Sequence, residues 1–397
     1  MPDHRRRIGE IFRAFLLLGL TSFGGPIAHL GYFRGEFVAR RQWLDEKAYA
    51  DLVALCQFLP GPASSQVGFA LGLMRGGPIG ALAAWVAFTL PSALLLVLFA
   101  MGAASFEGPL GSALLHGLKI VAVAIVAHAV WGMARQLCPD RPRATIAIAA
   151  VLLVIGVGGA LGQVTAILMG GLAGLWCCRD GAVGDADTLA MPISKRVGMI
   201  CLAIFAALLV GLPLLVMAGA GQGLVVVDAF YRAGALVFGG GHVVLPLLEA
   251  ETVQSGWMSA DDFLAGYGAA QAVPGPLFTF AAYLGTFVEG GGMITALLAL
   301  LVIFIPGFLL LLAALPFWHE LRARPGIQAG LRGANAAVVG LLGAALYDPV
   351  WTSAILGRAE FALALVGFAL LSVWKLPPWM VVLVCALGGM LLGVGDT

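Results

Sequence analysis

The sequence is short of charge. Asp, Glu, Lys and Arg make up 11% of its 397 residues and hydrophobic residues 61%, with a mean hydropathy of +0.99. Soluble domains carry about a quarter charged residues, so composition indicates an integral membrane protein of many helices in a lipid bilayer. No GxxxxGK[ST] loop is present, which disfavours a nucleotide-driven pump. No HExxH helix, nucleophile–base pair or embedded aspartate pair occurs, so an intramembrane enzyme, the reading from another class, lacks machinery and no catalytic residue is assigned. The six cysteines form no CxxC and have no histidine at metal spacing. They read as small apolar fillers, and no metal or cofactor is expected. No basic face or aromatic–basic interleaving is seen, which argues against nucleic acid. Asp and Glu are missing from the middle of the apolar runs, so a carboxylate proton relay has no support.

What the sequence has instead is glycine and proline in paired places. Gln57-Phe58-Leu59-Pro60-Gly61-Pro62 interrupts an apolar run and returns 214 residues later as Gln271-Ala272-Val273-Pro274-Gly275-Pro276. Proline removes a backbone donor and clashes with the preceding turn, so each motif ends one helix and can begin another. Lipid cannot satisfy the freed backbone groups, which must face protein or a water-filled cavity. The pairing extends further. Gly19 to Pro26 (GLTSFGGP) matches Gly234 to Gly241 (GALVFGGG), Glu36 matches Glu251, Trp43 matches Trp257, Pro91 matches Pro306 and Lys119 matches Arg332, always at an offset of 213 to 215. Such a register over more than a hundred residues indicates duplication.

Charge orients the two copies. The loop after the first apolar segment carries Arg34, Arg40, Arg41 and Lys47, whereas its counterpart carries Glu249, Glu251, Asp261 and Asp262 and no cation. Cytoplasmic loops are enriched in Lys and Arg, so the halves are expected to be upside down relative to each other. The expected organisation is a repeat over 1–178, a polar cytoplasmic linker at 179–196, an inverting transmembrane helix at 197–220 and an inverted repeat over 221–397. The N-terminus falls in the cytoplasm and the C-terminus in the periplasm. The fold class is thus an all-α polytopic membrane protein, an inverted-topology internal repeat with broken or re-entrant helices in each half. Segments 11–33 and 49–74 either cross fully or fold back as hairpins at their breaks; hairpins keep the basic 34–47 loop inside, which the charges favour, and parity is the same either way.

At a helix break, the following half-helix presents free amides and partial positive charge, which makes an anion site without a side-chain cation. The candidates are Phe23, Gly24, Gly25, Pro26, Gln57, Pro60, Gly61, Pro62, Ser64 and Ser65 in the first half. Their counterparts are Phe238, Gly239, Gly240, Gly241, Gln271, Pro274, Gly275 and Pro276. The plainer reading is that the glycines allow close helix packing and the prolines kink helices; four motifs in matched places favour the site. Lys119, Arg232 and Arg332 lie near segment ends, where such side chains usually snorkel, although the matched pair could face an anion path. Asn335 lies a turn beyond Arg332, and His242 and His29 just past the Phe-Gly-Gly motifs. Glu36 and Glu251 are either gate or ion-pair residues or, more plainly, solvated loop charges.

The duplicated Phe-Gly-Gly-Pro and Gln-x-x-Pro-Gly-Pro signatures, at these spacings and over essentially the whole chain, resemble the long-chain chromate ion transporter family. The resemblance implies efflux of chromate from the cytoplasm of a bacterium across its inner membrane, conferring chromate resistance by alternating access, at the motif positions named above. Sulfate is a near isostere of chromate, so a sulfate or other oxyanion carrier is the alternative. The sequence leaves a homodimer open. One departure, Gly241 where the first half has Pro26, makes the two sites unequal.

Overall fold

In the computed structural model the described residues are 2–103, 108–179, 193–288, 290 and 292–395, and every regular element among them is helical. The first half runs α1 (Pro2–Thr21), α2 (Gly25–Phe33), a π-helical stretch (Arg34–Arg40), α3 (Glu46–Phe58), α4 (Ala63–Ala103), α5 (Pro109–Leu137), α6 (Arg141–Val157) and α7 (Gly159–Cys177). Helix α8 (Lys195–Met217) follows. The second half holds α9 (Gln222–Ala235), α10 (Val244–Thr252), α11 (Ala260–Ala272), α12 (Phe280–Gly285), α13 (Gly292–Ala314), α14 (Trp318–Arg322), α15 (Pro325–Ala345), α16 (Thr352–Ala354), α17 (Arg358–Ser372) and α18 (Pro378–Gly395). Among the described residues, six helices are long and apolar enough to cross a membrane. The expected linker at 179–196 lies mostly outside the described residues.

The breaks fall where the sequence predicts them. Leu59 and Val273 leave the helical region for ψ 151° and 137°, because a residue before proline is pushed out of it. What each break does to the path is read from ion pairs. Glu10 meets Arg41 at 3.1 Å and Arg75 at 3.4 Å. Residues 10, 41 and 75 therefore share one end of the molecule, so α1 runs in, α2 returns, α3 runs in and the start of α4 returns. From Glu10 to Thr21 the helix rises about 18 Å, a little over half of the roughly 30 Å hydrocarbon thickness. Both early segments thus fold back on themselves at their breaks as hairpins.

Helix α4 is not one rod. At Gly77 (φ 66°, ψ −161°) its two arms fold back on each other, with Gly72 against the Gly80 carbonyl and Ala84. The arm from Pro78 to Ala103 rises about 39 Å, enough to cross. The second half repeats the plan. Arg232 on α9 clasps Glu251 at the end of α10 with bonds of 3.0 and 2.8 Å. Tyr283 Oη donates to the Asp262 carbonyl at 2.8 Å, laying α12 along α11. Thr295 Oγ1 donates to the Gly285 carbonyl at 2.6 Å, folding α13 back on α12.

Further contacts mark the two ends. Trp318 Nε1 donates to Asp51 at 3.1 Å, Lys195 meets Glu320 at 2.7 Å, and Arg332 donates to the Cys178 carbonyl at 3.0 Å. These gather the start of α3, the end of α7 and the starts of α8 and α15. Lys119, near the start of α5, instead meets Asp261 at the start of α11, at 2.9 Å. The first pair of hairpins opens at one end and the second pair at the other. Between α5 and α6, Asp140 caps α6 by accepting from Arg143 N at 3.0 Å, and hydrogen bonds from Arg143 hold its carboxyl below the usual range. Segments 144–158 and 160–177 are two separate helices joined at Gly158.

The long helices interlock the halves. Helix α15 packs between α6 and α7, and α5 packs with α17 and α18. Small residues let the backbones meet: Gly170 and Gly174 against Gly333, and Gly117 against Cys385, Ala386 and Gly389. Such close approach strengthens van der Waals packing where no hydrophobic force draws helices together in lipid.

Candidate functional site

The four breaks meet. Gly61 N donates to the Val237 carbonyl at 2.7 Å, and Gly275 N donates to the Ser22 carbonyl at 2.9 Å. Each Pro-Gly-Pro turn of one half is therefore tied to the Phe-Gly-Gly break of the other. Ser22 and Val237 are matched positions, as are Gly61 and Gly275, so the two bonds form one reciprocal pair. The glycines are required: φ is +118° at Gly61 and +104° at Gly275, a region side chains rarely enter. A Cβ on Gly61 would lie 3.0 Å from Gly307 Cα, and one on Gly275 2.8 Å from Ser92 Oγ.

The Phe-Gly-Gly breaks also touch each other. A Cβ built on Gly241 would lie 3.1 Å from Pro26 Cγ. Pro26 and Gly241 occupy equivalent positions, so a proline in both halves would collide with its own counterpart. The departure from repetition thus has a steric reason. Around these breaks Gly24 and Gln57 are exposed, Phe23, Gly25, Pro26, Phe238, Gly239, Gly240 and Gln271 are half-buried, and Pro60, Pro62, Pro274 and Pro276 are buried. Phe23 lies 6.1 Å, ring to ring, from Trp379 of α18.

Polar groups gather at the first-half break. His29 Nε2 lies 3.2 Å from the Ser22 carbonyl and its Nδ1 3.4 Å from Ser64 Oγ, with Phe88 edge-on to the ring at 5.3 Å. Ser92 Oγ donates to the Thr89 carbonyl at 3.0 Å. Gln66 donates to the carbonyls of Pro60 at 3.0 Å and Gly307 at 2.9 Å, stitching α4 to α13. In the second half, His242 Nδ1 and Tyr267 Oη lie 2.9 Å apart, and Asn335 faces Gly239.

The remaining sequence candidates lie away from the breaks. Lys119 and Arg332 hold Asp261 and the Cys178 carbonyl, at opposite ends. Arg332 and Asn335 do not share a destination: only Asn335 reaches a break. Arg232 binds Glu251 and, at 3.1 Å, Asp228. Glu36 binds Arg41 at 2.6 Å and Arg40 at 3.2 Å. With side chains 10% and 12% exposed, Glu36 and Glu251 are ion-paired groups rather than solvated loop charges. A cavity of about 640 Å³ lined by Arg5, Arg6, Gly9, Glu10, Arg13 and Arg41 lies beside the first hairpin. Sequence reasoning missed Thr89 and Ser92. Single polar residues in an apolar helix carry no periodic signal.

This architecture defines a class: a multi-pass membrane protein in which re-entrant hairpins from two sets of helices bring their broken tips together. The chain belongs to the chromate transporter family, whose profile matches residues 9–175 and again 224–390. It is 30% identical over 393 residues to the chromate transport protein of Pseudomonas aeruginosa, covering 96% of this chain and 90% of that one. It is 27% identical to a probable chromate transport protein of Synechococcus elongatus (96% and 95% covered), and 26% identical to the chromate transport protein of Cupriavidus metallidurans (92% and 88%). No solved structure matches the chain.

Proposed function

We propose that the protein is a secondary transporter that exports chromate from the bacterial cytoplasm across the inner membrane. The two repeats, 1–178 and 221–397, are inverted about the meeting point of their breaks, with α8 as the inverting span. The observation that carries this reading is the reciprocal pair, Gly61 to Val237 and Gly275 to Ser22. Broken helices that bind across halves form one central site, as expected where two repeats rock around a bound ion. Half-helix N-termini aim amides and partial positive charge at the tetrahedral oxyanion.

Unequal packing supports alternating exposure. Helix α11 lies against α5 and α18, and α10 against α7 and α15, while α2 and α3 pack chiefly on α4 and the π-helical stretch. The first-half hairpins are thus the looser set. The arginine-lined cavity beside them would raise the local concentration of dianions at the cytoplasmic mouth. Outward movement of a dianion is favoured by the interior-negative potential, at roughly 2.3 kcal/mol per charge per 100 mV.

The test is uptake of chromate into inverted membrane vesicles, with and without a potential, a pH gradient and competing sulfate. Chromate accumulation that sulfate reduces is expected. Uptake of sulfate with none of chromate would make the protein a sulfate carrier, and uptake of neither would refute transport of these ions.

A further inference from the structure

Resting on the oxyanion-transport reading above, we infer that the ion is held at only one of the two matched junctions, by the Ser22, Ser65 and Thr89 hydroxyls and the Gln271 amide. Thr89 and Ser92 lie outside both sequence motifs, on the crossing arm of α4.

Among the described residues, Ser22 Oγ, Ser65 Oγ, Thr89 Oγ1 and Gln271 Nε2 are buried donors without a protein acceptor, and Trp85 Nε1, beside Phe304, is another. The three hydroxyl residues are 0%, 2% and 2% exposed. A buried hydroxyl without a partner costs about 1–3 kcal/mol, and a helical threonine would ordinarily satisfy itself on a preceding carbonyl. Contacts link most of this group. Gly275 N bonds the Ser22 carbonyl, Gly275 Cα packs beside Ser92, and Ser92 bonds the Thr89 carbonyl. His29 ties Ser22 to Ser64, the neighbour of Ser65, and Gln271 lies in the last turn of α11, just ahead of the Pro274-Gly275-Pro276 break. Donors without acceptors are what a ligand made only of acceptors requires, and a tetrahedral dianion is such a ligand.

The mirror junction has lost the same groups. At the repeat offset Ser22 becomes Val237, His29 becomes Val244, Ser64 becomes Phe278, Thr89 becomes Phe304 and Ser92 becomes Gly307. Ser65 becomes Thr279, whose hydroxyl is already bound to the Pro276 carbonyl at 2.8 Å. Gln271 becomes Gln57, which is exposed. Phe304 packs against Phe278 at 5.6 Å and Trp85 at 5.5 Å, ring to ring. The polar groups left there are the Trp85 indole N–H and Gln66, whose amide donates to the Pro60 and Gly307 carbonyls; with no unpartnered hydroxyl at that junction, one ion binds per chain.

Equilibrium binding of radiolabelled chromate to the purified full-length protein tests this, alongside transport by wild-type proteoliposomes. The expected result is one ion per chain, with Thr89→Val and Ser22→Ala each weakening binding about tenfold or more, as loss of a hydrogen bond to a charged group predicts. Thr89→Ser restores affinity, Phe304→Leu keeps wild-type affinity while lowering the melting temperature because Phe304 is fully buried, and Thr89→Val and Ser22→Ala do not lower it. Two equivalent ions per chain, or wild-type affinity in both Thr89→Val and Ser22→Ala, would overturn the one-junction assignment while leaving transport intact. Wild-type proteoliposomes that move neither chromate nor sulfate would instead overturn the transport reading.

Discussion

Gly61 and Gly275 each hold a left-handed backbone, bond the opposite half, and have no room for a Cβ. A side chain at either must distort the turn, at about 1–3 kcal/mol for the backbone alone. Gly61→Leu and Gly275→Leu should abolish chromate uptake in inverted vesicles while the protein still inserts, checked by membrane fractionation. Normal uptake in both would remove the breaks from the mechanism. Pro26 and Gly241 give a sharper test. Gly241 starts a 3-10 turn with ordinary negative φ, so its backbone accepts proline and only Pro26 opposes it. Gly241→Pro should lower uptake and thermal stability, and Pro26→Gly in the same chain should recover most of both. This relation was invisible in sequence: the mismatch could be read, but not that the two positions touch.

Among the helices, ion pairs decide how each hairpin closes. Arg232 carries two carboxylates, Asp228 and Glu251, and its head is 27% exposed. Removing one partner of a largely desolvated pair costs about 3–5 kcal/mol when fully buried. Partial exposure lowers that, and Arg232→Ala should cost about 2 kcal/mol. A double-mutant cycle with Glu251→Ala, read by unfolding in detergent, should show strong coupling; additive effects would mean that the pair does not hold α9 to α10. The positions of the four breaks were legible in sequence because proline and glycine act locally. That α1–α2 and α3–α4 turn back was favoured by the basic 34–47 loop alone, because both paths give the same parity. Only Glu10 reaching Arg41 and Arg75 resolved it. Hydropathy does part the two arms of α4, because Arg75-Gly76-Gly77-Pro78 interrupts the apolar run where the chain folds back. Lys119 and Arg332 are matched positions in the sequence, but their partners, Asp261 and the Cys178 carbonyl, lie far away in sequence.

The whole molecule is lopsided: α11 sits against α5, with Gly268 touching Leu118, while its counterpart α3 leaves Ala54 exposed. Exchanging the two halves' arrangements turns that contact into one between Ala54 and Leu331, the matched positions on α3 and α15. If the halves trade places during transport, Ala54→Cys with Leu331→Cys should form a disulfide in a chain whose six native cysteines are replaced. Its yield should change when chromate is added on one side only. Failure to cross-link under any condition would argue that α3 never closes on α15.

The meeting of Pro26 with Gly241 also bears on how such a chain could arise. Two identical subunits related by a rotation axis must present the same residue to itself wherever that axis passes. A proline there would strike its twin, so a symmetric pair of separate halves could not carry it. Joining both copies in a single polypeptide lifts that restriction and lets each side specialise. Residues 1–178 produced as an independent chain should therefore pair with 194–397 and not with a second copy of themselves.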